Sequence, residues 1–157
     1  MYSTQENTGY VRSLQIIFFA LLLGQLTVFA VLWFVIEPPA EPGIYQSPLD
    51  FAFIGIAVAL QIGSFVAVQK IIESARGRAD FDVKLSTYRV AQLARFALLE
   101  GSVLICLVGY FFLTANQILL ALAAAGIAIF ITKMPFRDKI VNDLDMTVEE
   151  AEMLDKA

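Results

Sequence analysis

The chain has 157 residues, of which 59% are apolar or aromatic and 17% are charged, and its formal net charge is −4. Soluble domains contain roughly 25% charged residues, so this composition indicates a membrane protein with a single domain, residues 1–157. There is no histidine and only one cysteine, which excludes a histidine base, a Cys/His zinc site and an internal disulfide, and the absence of a basic run argues against nucleic acid.

Four long apolar stretches follow in chain order, and each is near the ~20 residues that a helix needs to cross ~30 Å of hydrocarbon. They cover about residues 14–36, 51–69, 90–113 and 117–132, and the fourth is the shortest. Only two charged residues fall inside them, Arg95 and Glu100. The sequence therefore predicts an all-α membrane protein with four transmembrane helices and a short polar C-terminal tail, residues 133–157.

The basic residues lie on one side of these predicted helices. The loop between the first two, EPPAEPGIYQSPLD, contains no Lys or Arg, whereas Lys and Arg recur between the second and third, before the first and after the fourth. By the positive-inside rule, both termini and the middle stretch face the cytoplasm. We expect a multi-pass protein of the cytoplasmic (inner) membrane.

The third predicted helix repeats the first. An offset of 77 residues aligns FALL at 19–22 with FALL at 96–99 and places Gly24 on Gly101, and an offset of 63 between the second and fourth helices matches Gly63 to Gly126. Two helical hairpins in the same orientation, related by an axis along the membrane normal, explain both alignments. Chance similarity between apolar helices is the alternative.

Small residues recur every four positions in the second predicted helix, at Gly55, Ala59, Gly63 and Ala67, and Gly101 belongs to a shorter version in the third. Such a stripe lets another backbone approach closely, and close packing is what associates helices in lipid. The pattern predicts tight helix packing. It leaves open whether the partner helix belongs to the same chain or to another copy.

Glu100 lies near the middle of the third predicted helix, with no cation one turn away. An unpaired carboxylate there costs about 2.5–3.5 kcal/mol on insertion scales, so the group must be protonated, hydrogen-bonded, or next to a partner or an aqueous path. Gln25 and Gln61 lie at similar depth, and a layer of these three side chains against the small residues of the fourth helix would satisfy all of them. Two interpretations stay open, an ion-binding carboxylate and a neutral acid that holds helices together.

The second and third predicted helices also carry sequence motifs of a known family. Residues 75–78 read ARGR between the two helices, residues 96–101 read FALLEG, and residues 107–113 read LVGYFFL. With the glycines of the second helix, these motifs resemble the hairpin of the rotor-ring proteolipid, or c subunit, of rotary ATPases, over about residues 51–113. The resemblance implies that a glycine-rich helix packs inside a ring and that Glu100 binds a proton or a sodium ion.

The polar tail contains two local patterns. After Pro135, the apolar residues Phe136, Ile140 and Leu144 repeat every four positions, which predicts a short amphipathic helix on the membrane surface. Thr147 with Glu150 has the spacing of a capping box, which predicts the start of a final helix.

Together these patterns predict a proteolipid-like subunit that lies in the lipid bilayer as a homo-oligomer or as part of a membrane complex. The alternative is a non-transporting scaffold or accessory subunit of a larger complex. No constellation of catalytic or metal-ligating residues stands out, so we expect neither an enzyme nor a bound cofactor or metal.

Overall fold

The structure is a computed structural model that describes residues 9–36, 48–78 and 80–156. Within these residues, six α-helices follow in order, and the third continues into a π-helical segment, Gly109–Thr114. The α-helices are α1 (Tyr10–Val35), α2 (Pro48–Arg76), α3 (Phe81–Val108), α4 (Gln117–Thr132), α5 (Arg137–Asp143) and α6 (Val148–Lys156). The prediction of an all-helical chain is confirmed for these residues.

Three helices are long and apolar enough to cross a membrane: α1, α2, and α3 together with its continuation to Phe112. The fourth candidate is α4, which has 16 residues and would be about 24 Å long at 1.5 Å per residue. By itself α4 is too short for a span. Together with α5 it is long enough, but the axes of the two helices differ by 89°. The described residues therefore contain three candidate spans, or four if this bent pair is counted.

The polar stretch between the second and third predicted spans is mostly helical. The last two turns of α2 bury Ile72 and Ala75, and the first two turns of α3 bury Leu85 and Tyr88, so the two helices stay packed beyond the apolar stretches. Asp80 caps α3, because its Oδ1 accepts hydrogen bonds from two backbone amides of the first turn at 2.9 and 3.3 Å. These apolar positions extend a helical hairpin past the predicted boundaries.

α3 is the central helix, and it contacts α1, α2 and α4. α1 runs parallel to α3, as three contacts along its length show. The Tyr10 hydroxyl donates to the Leu85 carbonyl at 2.7 Å, the Phe18 ring packs 5.6 Å from the Phe96 ring, and Trp33 lies edge-on to Phe111. The bundle thus has one end where α1 and α3 begin, which we call the basic end.

The tail folds back onto this basic end. Ile140 and Leu144 are completely buried in a cluster that includes Leu14 and Val68, whereas Phe136 stays 53% exposed. The prediction of an amphipathic helix at this position is confirmed, but two of its three apolar side chains pack on the protein's own helices rather than facing lipid. The helix does so because α2 and α3 project beyond the apolar layer and offer it an apolar surface.

The capping box that begins α6 is confirmed. The Thr147 amide donates to Glu150 Oε2 at 2.9 Å, and the Glu150 amide donates to Thr147 Oγ1 at 3.2 Å. The same carboxylate accepts two hydrogen bonds from Lys84 Nζ, at 2.9 and 3.0 Å, and only 6% of the Lys84 side chain is exposed. This ion pair attaches α6 to α3.

Candidate functional site

A hydrogen-bonded polar group joins α2, α3 and α4 inside the apolar layer. The Ser102 hydroxyl donates to the Ala57 carbonyl at 3.0 Å and accepts from Gln61 Nε2 at 3.1 Å. Gln61 Nε2 also lies 3.5 Å from the Leu122 carbonyl of α4. Hydrogen bonds between helices in lipid contribute about 0.6–2 kcal/mol each, so this group stabilises the contact of the three helices.

α4 approaches α3 closely at the same depth, at Gly126. A Cβ atom at this position would lie 2.8 Å from Val103 Cγ2 and 3.3 Å from Gln61 Nε2. Both distances are shorter than ordinary van der Waals contact, so glycine is required for this packing. The repeat alignment matched Gly126 to Gly63, but the sequence did not predict this close contact. The alanines that form the small-residue pattern of α4 are exposed, whereas Gly126 is buried.

Glu100 lies on the other side of α3 from this group. Two residues along a helix turn by about 200°, so Glu100 and Ser102 point roughly 160° apart. Glu100 follows Phe96 by one turn, and Phe96 is the α3 residue that packs on Phe18 of α1. The carboxylate is half-buried, and among the described residues it has no hydrogen bond or ion pair.

Gln25 lies between α1 and the rest of the bundle, one heptad from both Phe18 and Leu32. Its side chain is completely buried, and neither Nε2 nor Oε1 has a hydrogen-bond partner among the described residues. A buried polar group without a partner costs about 1–3 kcal/mol, so the burial of Gln25 destabilises the contact of α1 with the bundle at this depth.

The structure therefore does not assemble the expected layer of Glu100, Gln61 and Gln25. Gln61 bonds to Ser102 instead, because Ser102 rather than Glu100 faces α2. Gln25 is buried on the α1 side, where Glu100 also lies, but no hydrogen bond connects the two. Ser102 follows Glu100 by two residues and so lies on the opposite face of α3. This position in the sequence could have predicted its hydrogen bond with Gln61.

The stripe of small residues on α2 faces away from the other described helices. Gly55, Ala59 and Ala67 are exposed, and a Cβ at Gly55 or at the half-buried Gly63 would meet no atom within 4 Å. Gly101 differs, because a Cβ there would lie 3.8 Å from Leu60 Cδ1 of α2. The stripe is thus free for lipid or for another chain.

A second polar cluster lies at the basic end and was not predicted from the sequence. Tyr88, Gln92 and Arg95 are buried on one face of α3, and α5 reaches this face at Asp143. The Tyr88 hydroxyl donates to Asp143 Oδ2 at 3.0 Å, and Arg95 Nη1 donates to Gln92 Oε1 at 3.3 Å. The spacing of these three residues places them on one helix face, but only the return of the tail shows that the face is buried.

Comparisons of the chain with protein-family models, with curated proteins and with solved structures give no match. The long apolar helices are compatible with a small integral membrane protein. Over residues 9–36, 48–78 and 80–156, no group of three or more His, Cys, Asp or Glu side chains is placed to hold a metal ion.

Proposed function

We propose that this chain is a proteolipid-like membrane subunit in which Glu100 binds a proton or a sodium ion. The observation that carries the proposal is the position of this carboxylate, half-buried in the apolar part of α3 with no partner among the described residues. A carboxylate in that environment is costly unless a proton, a cation or a neighbouring chain compensates it. A proton or a sodium ion supplies that compensation directly.

The surroundings of Glu100 support an ion rather than a partner within the chain. Ser102 and Gln61 satisfy each other, so neither is left to hold the carboxylate. Glu100 is only half-buried, so an ion or a second copy can reach it from the outer surface of the bundle.

We further propose that α1 to α4 form two repeated hairpins. The contacts of α1 with α3 join residues whose numbers differ by 75 to 78, close to the offset of 77 at which the two segments align. The repeated segments therefore lie side by side and in parallel. This is the arrangement that a parallel repeat about the membrane normal produces.

Assembly and orientation complete the proposal. The outward-facing residues Gly55, Ala59 and Ala67 are suited to close packing against another copy or subunit, which supports a homo-oligomer or a complex. The end of the bundle that carries the basic residues faces the cytoplasm in this proposal, because Lys and Arg are retained on that side of the inner membrane.

A non-transporting scaffold or accessory subunit is the second candidate. It is favoured by the hydrogen bonds of Gln61 and Ser102, which are structural, and by the outward stripe of small residues. In this case Glu100 forms a hydrogen bond across an interface between chains.

Labelling with a hydrophobic carbodiimide tests the role of Glu100. A carboxyl group that carries a proton inside the apolar layer reacts with the reagent, so wild-type protein should be modified at Glu100, and sodium ions or alkaline pH should slow the reaction. Glu100→Gln should remove the labelling without changing the fold. Glu73→Gln is the matched control, because Glu73 is an exposed carboxylate of α2 and its loss should leave the labelling unchanged.

The outcomes separate the two functions. Labelling that neither sodium nor pH affects would contradict ion binding. If, in addition, native mass spectrometry shows that Glu100→Gln keeps the oligomer whereas Glu100→Leu dissociates it, the carboxyl is a hydrogen-bonding group of a scaffold.

A further inference from the structure

Two buried side chains of α3 have nitrogen donors without an acceptor at the basic end. Arg95 Nε and Gln92 Nε2 have no hydrogen-bond partner among the described residues. The two side chains are joined by the hydrogen bond that Arg95 Nη1 donates to Gln92 Oε1. Arg95 is 8% exposed and Gln92 is 1% exposed. Buried donors are nearly always paired in folded proteins, so an acceptor belongs at this place.

The charge around these donors is positive. Burial, followed by the charges of Lys133 and Arg95, lowers the pKa of the Lys139 amine, and Asp143 only partly opposes this. Asp143 already accepts a hydrogen bond from Tyr88, and no described carboxylate forms an ion pair with Arg95 or Lys139. Three cations therefore share one nearby carboxylate, and the missing acceptor should be an anion.

The cluster lies where the chain leaves the apolar layer. α4 ends at Thr132, and α5 turns by 89° and crosses the basic end of the bundle. Lys139 Nζ lies 3.5 Å from the Thr132 carbonyl, and the Gln15 side chain of α1 donates to the Pro135 carbonyl at 3.1 Å. Basic pockets between transmembrane helices at this depth are where lipid headgroups bind.

We propose that Arg95, Gln92 and Lys139 bind a phosphate group, and that the anionic headgroup of a phospholipid supplies it. Phosphate oxygens accept the planar fork of donors of an arginine side chain, the amide of Gln92 adds a neutral donor, and Lys139 adds a point charge. Lys133 and Lys139 are half-buried, so part of each side chain is accessible to a headgroup. A soluble phosphate ion has the same chemistry, and the experiment distinguishes the two sources.

The test measures binding to the purified full-length protein in a mild neutral detergent, with three probes added separately. They are dihexanoyl phosphatidylglycerol, dihexanoyl phosphatidylcholine and inorganic phosphate, and native mass spectrometry counts the bound molecules. We expect phosphatidylglycerol to bind at least about tenfold more tightly than phosphatidylcholine, because a choline cation next to Lys139 is repelled.

Variants locate the site. Arg95→Gln should weaken phosphatidylglycerol binding at least about tenfold, and Lys139→Gln about fivefold. Lys70→Gln removes the same charge from an exposed residue of α2 and should change binding less than about twofold. If Arg95→Gln does not fold, Arg95→Lys keeps the charge but loses the fork of donors and should still weaken binding several-fold.

Each outcome decides the proposal. Binding of inorganic phosphate with the same dependence on Arg95 and Lys139, in the absence of phosphatidylglycerol binding, keeps the phosphate site and assigns it to a soluble ion. Equal binding of the two lipids, equal effects of Arg95→Gln and Lys70→Gln, or no binding of either anion overturns the proposal.

Discussion

Replacing Gly126 by alanine tests the packing of α4 on α3 directly. The new Cβ would lie 2.8 Å from Val103 Cγ2, whereas carbon atoms are at their optimum about 3.5–4.0 Å apart. The two helices must therefore separate by up to about 1 Å or Val103 must rotate. Val103 is completely buried and β-branched, so its rotation is restricted and the strain is not easily relieved.

The expected loss of stability follows from two opposing effects. Overpacking of this kind costs about 1–3 kcal/mol, while the better helix propensity of alanine returns about 1 kcal/mol. Gly63→Ala is the matched control, because Gly63 aligns with Gly126 in the repeat and a Cβ there meets no atom within 4 Å. Both variants gain the same propensity, so the difference between them, about 1–3 kcal/mol, reports the packing contact alone.

The measurement is the free energy of unfolding in mixed micelles as sodium dodecyl sulfate is increased. The chain has a single tryptophan, Trp33, which stacks on Phe29 at 5.8 Å and lies 6.3 Å from Phe111, so its fluorescence reports the bundle. If Gly126→Ala is as stable as Gly63→Ala, the close approach of α4 to α3 does not exist in the protein and the reasoning fails.

Two further changes test the ion pair of the tail and the hydrogen bonds of the apolar layer. The hydrogen bond from Lys84 lowers the pKa of Glu150, so the attachment of α6 should be complete above the ordinary glutamate pKa of about 4.3 and should be lost as pH falls through the lower folded value. Glu150→Gln should therefore weaken the attachment at neutral pH by about 1–3 kcal/mol, which hydrogen exchange would measure as faster exchange in α6. Glu149 is an exposed neighbour, and an equal effect of Glu149→Gln would contradict this reasoning. Ser102→Ala removes an interhelical donor and acceptor and should lower the unfolding free energy by about 1–2 kcal/mol. The control Ser64→Ala removes a hydrogen bond within α2 and should lower it by well under about 1 kcal/mol. Equal losses would refute an interhelical role for Ser102.

Hydropathy predicted that the described chain contains three or four long apolar helices, but it placed their ends less well. The fourth predicted span, 117–132, coincides with α4, because Asn116 caps the helix at one end and Lys133 follows at the other. α2 and α3 extend beyond their predicted spans, because Ile72 and Leu85 continue the apolar face into polar sequence. Hydropathy identifies the apolar segments of helices but not where a helical hairpin continues beyond them.

The candidate site could be predicted only in part. Their positions in the apolar stretches indicated that Glu100, Gln25 and Gln61 lie at mid-depth, and the structure places Gln61 in a hydrogen-bonded group with Ser102. Which of them meet depends on rotation about each helix axis, and a nearly uniform apolar surface gives little information about that rotation. The basic cluster around Arg95 depends on a tail that folds back over α3, which no local pattern reveals.

At the depth of Glu100, satisfied and unsatisfied polar groups divide the bundle into two sides. On the side of α2 and α4, Gln61 and Ser102 bond to each other and to backbone carbonyls, and Gly126 brings the helices into close contact. On the side of α1, Gln25 is buried without a partner and Glu100 is half-buried without one. The first side has the polar contacts that a stable bundle needs, so a proton, an ion or a neighbouring chain has most to contribute on the second, and this is the side of the ion site that we propose.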